Sequence, residues 1–461
     1  MKGYSSLTFV GVLGLTSCIL GPDFSGSGVS AGKTWKQQVS SHSSPLPDTW
    51  WKLFGDPELN RLVARAIASN NDLAAAHARR NTARALVGVD RARLFPNLDL
   101  NSGNGINRAP ADTEVPSADL ETRIYRTSFD LAYEIDLWGG NRRSIEAAVA
   151  EASAADSLLA SQRLGIASEV ARQYFLLRGL DSQHAVLNDT ITSRQESLTL
   201  ELSRTNAGLT DGIATTRART EVELAKNNLA NVQRQRGAAE HALAVLCGRS
   251  PSEFSVSEKS AIVNLPEISA GLPAEVIARR PDMRTAEQKL RAENARIGVA
   301  LASFYPKISL TGSAGVESLS ASSFLDWQSR VLALGTGITD PLFDGGANRA
   351  NYNATRSRYK ELLSDYRQTM LVALREVEDA LVDLKGFGRS RSALEAALAT
   401  SLDTRNLASE RYKKGLSSYL EVVDAERDIL KIRLILAELH AQQRISLTSL
   451  AQALGGGWNG N

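Results

Sequence analysis

The sequence predicts a mainly α-helical protein with a membrane β-barrel part, built from two internal structural repeats and needing several copies of the chain to close its barrel. Three observations predict this. Two proline-free stretches are long enough for helices of roughly 100 Å, four segments alternate in the manner of strands, and the chain resembles itself at an offset near 207 residues.

The helices follow from proline, which cannot continue a helix interior. None of the 13 prolines lies between Pro116 and Pro251 or after Pro341. Long helices are therefore expected at about 140–206 and 346–413, with shorter ones at about 61–94 and 213–247. Val222, Ala225, Leu229, Val232, Arg236, Ala239, Leu243 and Leu246 alternate spacings of three and four. So do Ile429, Ile432, Leu436, Leu439, Gln443, Ser446, Leu450 and Ala453. Two seams in one heptad phase imply coiled-coil packing. The two shorter helices, end to end, equal one long helix in length and could line it.

The repeat is seen in matched landmarks. Phe95-Pro96-Asn97-Leu98 matches Tyr305-Pro306-Lys307-Ile308, and "DLWGGNRRS" from Asp136 matches "LFDGGANRA" from Leu342. "NAGLTDGIATTRA" matches "KKGLSSYLEVVDA", and "LCG" at Leu246 matches "ALG" at Ala453. Each copy holds a shorter helix, a non-helical stretch, a very long helix, a Gly-marked turn and a further helix.

The strands are read from period-2 alternation. In "SFDLAYEIDLW", Phe129, Leu131, Tyr133, Ile135 and Leu137 face one way, and Ser128, Asp130, Ala132, Glu134 and Asp136 the other. Leu98 with Leu100, Ile308 with Leu310, and Leu332 with Leu334 and Ile338 mark three more strands. An apolar face backed by an acidic one suits a water-filled transmembrane barrel. Because even eight strands leave an interior that side chains fill, four cannot enclose water. The connecting segments "NRAPADTEVPSADLET" and "ESLSASSFLDWQS" read as exposed loops, with Trp327 suited to a membrane interface.

At the N-terminus, MKGYSS precedes the short apolar run LTFVGVLGLT, a secretory signal rather than a membrane span. Leu15-Thr16-Ser17-Cys18 has the form of a bacterial lipobox, whose Cys is acylated and becomes the mature N-terminus. Ile19 follows, where an Asp would favour inner-membrane retention, so the expected address is the outer membrane. The other Cys, Cys247 in "ALAVLCG", reads as a small buried core residue.

Composition excludes several classes. With 53 basic against 51 acidic residues, a net charge of +2 and no basic block, nucleic acid is not an implied partner. His42, His77, His184, His241 and His440 are scattered without a metal-ligand or triad pattern, and neither "DGG" nor "GGG" has phosphate-loop spacing. Glu421 and Asp424 could formally be an acid/base pair, but no tuned partner accompanies them. No catalytic residue, metal or cofactor is expected. A lipid-anchored coiled-coil surface or adhesive protein is the alternative, and the amphipathic strands and duplicated turns argue against it.

Taken in order, "LGPDF" after the lipobox, "WWKLFGDPELNRLV", "YEIDLWGG", "GLPAEVIARRPDMRTAEQKLRAENARIGVA", "FYPKISLTGSAG", "PLFDGGANRA" and "REVEDAL" carry a family resemblance. The chain resembles the TolC/OprM-type outer-membrane efflux channels, in the NodT-like lipoprotein branch that serves resistance-nodulation-division pumps. The resemblance implies a homotrimeric α-helical barrel continuous with a 12-stranded β-barrel, four strands from each chain. It implies a signal peptide at 1–17, a lipidated N-terminal and equatorial segment at 18–60, and repeats at 61–248 and 276–454. An equatorial connection at 249–275 and a tail at 455–461 complete the division. The function implied is a trimeric exit duct passing small molecules such as drugs and toxic compounds, gated at its periplasmic tip. Implied partners are a periplasmic adaptor protein, an inner-membrane pump and outer-membrane lipid, with diacylglycerol and an N-acyl chain on Cys18.

The resemblance also assigns site residues. Gly208, Asp211 and Gly212 fall in one tip turn, while Tyr412 and Gly415 precede Glu421-Val422-Val423-Asp424-Ala425 at the pore constriction. Glu421 and Asp424, three residues apart, share a helix face, so a trimer would stack two rings of carboxylates. The family's best-known member has an Arg two residues past the Gly and an Asp on the opposing helix that binds the Tyr. Here those places hold Ser417 and Ala214, with Asp211 nearby, and closure is expected to rest on other contacts.

Overall fold

The computed structural model describes residues 19–26, 28–29, 32, 34–36, 46–108, 110, 121–209, 212–259, 265–271 and 273–458. In chain order the helices and strands are α1 (Pro57–Ser69), α2 (Asn71–Ala92), β1 (Asn97–Arg108), β2 (Glu121–Ile135), α3 (Gly140–Asn206) and α4 (Gly212–Leu246). After these come α5 (Pro273–Arg279), α6 (Pro281–Ala302), β3 (Lys307–Ser318), β4 (Arg330–Thr339), α7 (Ala347–Lys413) and α8 (Tyr419–Ala453). The two 67-residue helices α3 and α7 start and end within a residue of their expected limits. The chain forms two compact units, one of Met1–Gly28, Asn81–Ala154 and Glu287–Asp365, the other of Val29–Arg80, Ala155–Ala286 and Tyr366–Asn461.

The first unit holds a four-stranded antiparallel sheet in the order β1-β2-β3-β4. Its register sorts the side chains. Leu98 and Leu100 lie opposite Leu131 and Phe129, Tyr133 and Ile135 oppose Leu310 and Ile308, and Ile308 opposes Ile338. One face is therefore apolar, and Leu98, Leu100, Phe129, Leu332, Leu334 and Ile338 are all exposed on it. On the other face Asp130 accepts hydrogen bonds from Ser313 (2.6 Å), Asn101 (2.7 Å) and Ser128 (3.1 Å). Arg126 stands 3.7 Å from Glu317 on the same side. The β3–β4 connection contains two short 3-10 turns, Ala321–Ser323 and Trp327–Ser329. Trp327 is exposed there, with the Arg330 guanidinium 3.4 Å from its ring centroid.

One sequence expectation needs correction here. Asp136 and Leu137 are not strand residues, since β2 stops at Ile135. The α3 N-terminus explains why: its first amides have no helical partner, and Asp136 accepts from the Asn141 and Arg142 N–H groups at 3.1 and 3.0 Å. Asp344 does the same for α7, accepting from Gly346 and Asn348 at 2.8 Å each. Each strand thus hands over to its long helix through an aspartate.

The segment just after Cys18 is strapped onto this unit. Leu20 N–H donates to Trp138 O at 3.2 Å, and the buried Arg143 donates to Leu20 O, Gly21 O and the Asp23 carboxylate. Gly21 has a φ of +97°, and a Cβ there would fall 2.6 Å from Gly298 Cα. Both glycines are needed for the close crossing. Cys18 itself lies outside the described residues.

The second unit holds the main core, in which Trp50, Phe54, Leu59, Leu62, Tyr174, Phe175, Leu243 and Leu450 are buried together. The expected helix over 61–94 is here broken into α1 and α2. Asn70 is extended (φ −71°, ψ 128°), its Oδ1 caps Leu73 N–H, and its Nδ2 donates to Leu246 O, the last residue of α4. The helix is interrupted because one side chain caps two helix ends. The end of α4 meets α1 at this break, with Cys247 buried and its Sγ–H 3.7 Å from Leu62 O.

Most positions of both heptad seams are buried. Val222, Ala225, Val232, Ala239 and Leu243 line the α4 seam, and Ile429, Leu436, Leu439, Gln443, Ser446, Leu450 and Ala453 that of α8. The polar member of the α4 seam, Arg236, donates to the buried Asp181 on α3 at 2.7 Å and to Val256 O at 2.7 Å. That interruption fastens the connection following α4 to the helix pair. No described helix is long and apolar enough to cross a membrane.

Candidate functional site

Two Gly-marked turns lie in the second unit and are built alike. After α3, Gly208 (φ +69°) allows Gly208 N–H to reach Thr205 O and Leu209 N–H to reach Arg204 O, each at 2.9 Å. After α7, Gly415 (φ +70°) repeats both bonds, to Tyr412 O and Arg411 O at 2.9 Å. This is the Schellman closure, and its left-handed residue favours glycine. Gly212 opens α4. Asp211 lies outside the described residues.

Between the turns the helices pack through an apolar patch of Ala214, Ala218, Ala408, Tyr419, Val422 and Val423. Beside it, Tyr412 donates through its phenol to Glu201 Oε2 at 2.6 Å. The Arg204 guanidinium sits 4.6 Å from the Tyr412 ring centroid, and the Tyr419 ring is 5.4 Å away. Burial and then the Glu201 carboxylate hold the Tyr412 phenol well above its ordinary range, so it stays a donor. Thr215 Oγ1 contacts Thr205 Oγ1 at 2.8 Å and donates to Glu201 O at 3.2 Å.

Nearly two helical turns beyond Thr215 along α4, the buried Glu221 receives two arginines. Arg194 of α3 reaches its carboxylate at 3.0 Å and its carbonyl at 2.7 Å, while Arg427 of α8 reaches the carboxylate at 2.5 Å. One carboxylate thereby joins three helices. Gly212, Ile213, Thr216, Arg217, Glu221 and Arg427 also line a surface groove of about 460 Å³.

Glu421 and Asp424 face solvent on α8, whereas Val422, Val423 and Ala425 around them are buried. Their side chains are 52% and 59% exposed, with Arg411 at 3.9 Å from Glu421 and Arg427 at 3.5 Å from Asp424. The two acids therefore share a solvent-facing surface, as their spacing requires.

Sequence reasoning missed the partner of Tyr412. It is not at position 214, where Ala214 packs in the apolar patch, but at Glu201, about two turns before Gly208. Arg204 stands over the Tyr412 ring and Arg427 reaches Glu221, while position 417 holds Ser417. The readable signal was an acid and a base spaced three apart, Glu201 and Arg204, just upstream of the first turn. Among the described residues, no group of three or more His, Cys, Asp or Glu side chains could hold a metal ion.

Comparison with known proteins agrees along the whole chain. The sequence profile of the outer membrane efflux protein family matches residues 62–249 and 272–456. Outer membrane protein OprJ of Pseudomonas aeruginosa is 32% identical over 462 residues, covering 99% of this chain and 96% of OprJ. Toluene efflux pump outer membrane protein TtgI of Pseudomonas putida is 32% identical over 465 residues, covering 99% of both. The solved structure of the outer-membrane channel OprN superposes with a TM-score of 0.88 at 28% identity, covering 96% of this chain and 100% of that one.

Proposed function

This chain belongs to the outer membrane efflux protein family and is an outer-membrane efflux duct, and from that premise we propose how its parts work. Three copies close one barrel. The observation that carries this is the sheet register. Four strands present an exposed apolar face, a hydrogen-bonded polar face and two strand edges, β1 and β4. Edges are not tolerated in lipid, and three copies of the four strands make a closed ring whose interior holds water.

The apolar face then meets lipid and the Asp130 face lines the pore. Acyl chains on Cys18 enter the same lipid layer, because the strap from Leu20 to Asp23 is tied to Trp138 and Arg143, beside the end of β2. In the helical part, threefold repetition of Glu421 and Asp424 makes two rings of carboxylates at the pore constriction. The contacts of Tyr412 with Glu201 and of Glu221 with Arg194 and Arg427 hold the helices around it in place. A periplasmic adaptor engages the turns at Gly208–Gly212 and Gly415, and an inner-membrane pump of the resistance-nodulation-division type supplies the energy. The cargo is small toxic molecules, in keeping with a relative named for toluene efflux. No catalytic group is required of a passive exit.

Planar-bilayer recording of the purified protein tests the core of this reading. Discrete pores are expected, blocked by multivalent cations from the helical side, with block abolished in the Glu421→Ala, Asp424→Ala double variant. Absence of pores would refute the duct, and unchanged cation block would refute the carboxylate rings alone. Copurification of an adaptor, lost when the Gly415 turn is altered, tests the docking assignment.

A further inference from the structure

Away from the two turns, still within the second unit, a cleft of about 90 Å³ opens between α3, α7 and α8. Its charged lining is uneven: Arg194 from α3, Arg405 from α7 and Arg433 from α8 face it with Glu426, while Asp189 lies at its exposed rim. Arg194 is only 5% exposed and spends both Nη groups on Glu221. Its Nε–H is buried with no acceptor, and so is that of Arg405. Two guanidinium Nε–H donors thus carry a desolvation cost that no described hydrogen bond offsets, beside a cleft that three arginines line.

The size of the cleft narrows what would complete it. A water needs about 10–15 Å³ of such water-accessible space, so the cleft has room for several waters or one compact polyatomic anion. Guanidinium groups converging from separate helices match the several oxygens of an oxyanion better than the single point of a halide. We propose that this cleft binds a small tetrahedral oxyanion of the sulfate or phosphate class, bridging Arg194, Arg405 and Arg433 and so tying α3, α7 and α8 together.

Glu426 makes the site sensitive to pH. Burial, and next the attraction of Arg194 and Arg405 acting the other way, set its carboxyl, with the net shift upward and Glu221 adding to it. The groups facing it are Arg194 and Asp189 on α3, Glu221 on α4, Arg405 on α7, and Tyr419 and Arg433 on α8. Ionised, Glu426 repels the anion and competes for the arginines. Protonated, it becomes a donor to an anion oxygen, so binding tightens as the pH falls.

Calorimetric titration of the full-length protein in detergent with sodium sulfate, against sodium chloride at matched ionic strength, tests the site. Sulfate keeps its charge across the mildly acidic to neutral range, so any pH dependence belongs to the protein. Saturable sulfate binding is expected, weakened roughly tenfold or more in Arg405→Met, the loss of one charged contact. In Glu426→Gln, a near-isosteric change, binding should be tighter at neutral pH and no longer vary with pH. Anomalous scattering from selenate in the cleft provides a second readout that needs no variant. Indistinguishable sulfate and chloride heats, unchanged affinity in Arg405→Met, or undiminished pH dependence in Glu426→Gln would each overturn the proposal and leave a water-filled cleft.

Discussion

Tyr412 donates its phenolic hydrogen to Glu201 across 2.6 Å, and Glu201 is only 1% exposed. An aromatic residue at the end of α7 thereby satisfies a carboxylate sealed inside the packing of α3. The direction of dependence matters: Tyr412 is partly exposed and could find water, whereas Glu201 could not.

Tyr412→Phe is therefore expected to act through Glu201. Leaving a buried acceptor short of its donor costs about 1–3 kcal/mol, and the cost should be local. Hydrogen-exchange mass spectrometry should show faster exchange in the segments around Glu201 and Tyr412, with the sheet unaffected. Unchanged protection would mean that water replaces the phenol.

Glu221 offers a contrast between buried and exposed partners. Arg194 is 5% exposed and Arg427 is 51% exposed. Glu221→Ala strands a buried guanidinium and should destabilise by about 3–5 kcal/mol. Arg427→Ala removes a half-exposed partner and should cost less than about 1 kcal/mol. Chemical denaturation followed by helical circular dichroism should rank them in that order, and equal effects would show that Arg194 finds another acceptor.

Gly248 and Gly415 share a left-handed backbone, with φ of +64° and +70°, but not their surroundings. Gly415→Ala meets open space and should cost only the conformational penalty of about 1–2 kcal/mol. A Cβ on Gly248 would collide with the Ser69 carbonyl oxygen, adding an overpacking cost of about 1–3 kcal/mol. Denaturation midpoints should place Gly248→Ala clearly below Gly415→Ala.

His440 carries a pH signature. Burial, then the nearby Arg444 and Arg391, hold its imidazole below the ordinary range. It is thus neutral in the folded protein where the unfolded chain would already be protonated. The unfolded state binds the extra proton, so stability is lost as pH falls from about 6.5, the unfolded value, through the lower folded value. Replacing His440 with Gln should flatten that part of the stability profile, and an unchanged slope would assign it to other groups.

Much of the architecture was legible because it rests on local rules. The absence of proline freed α3 and α7 to be helical, the Gly-marked landmarks on either side fitted their limits almost to the residue, and period-2 alternation located all four strands. The break at Asn70 was not legible, since its cause is Leu246, 176 residues away. Nor was the role of Asp136, which alternation assigned to a strand face and which an unsatisfied helix end claimed instead. The positions of Tyr412, Gly415, Glu421 and Asp424 were readable from the family pattern, but the carboxylate meeting Tyr412 was not, because its equivalent position holds Ala214.

The sequence by itself determined where helices and strands run, that the two halves repeat, and that one strand face is apolar, because these depend on neighbours within a few residues. Only the tertiary structure decided which charges meet. Glu201 with Tyr412, Glu221 with Arg194 and Arg427, and the arginines gathered around Glu426 are set by how long helices align side by side. A shift of one residue along such helices turns every side chain by about 100°, and no local pattern records that alignment.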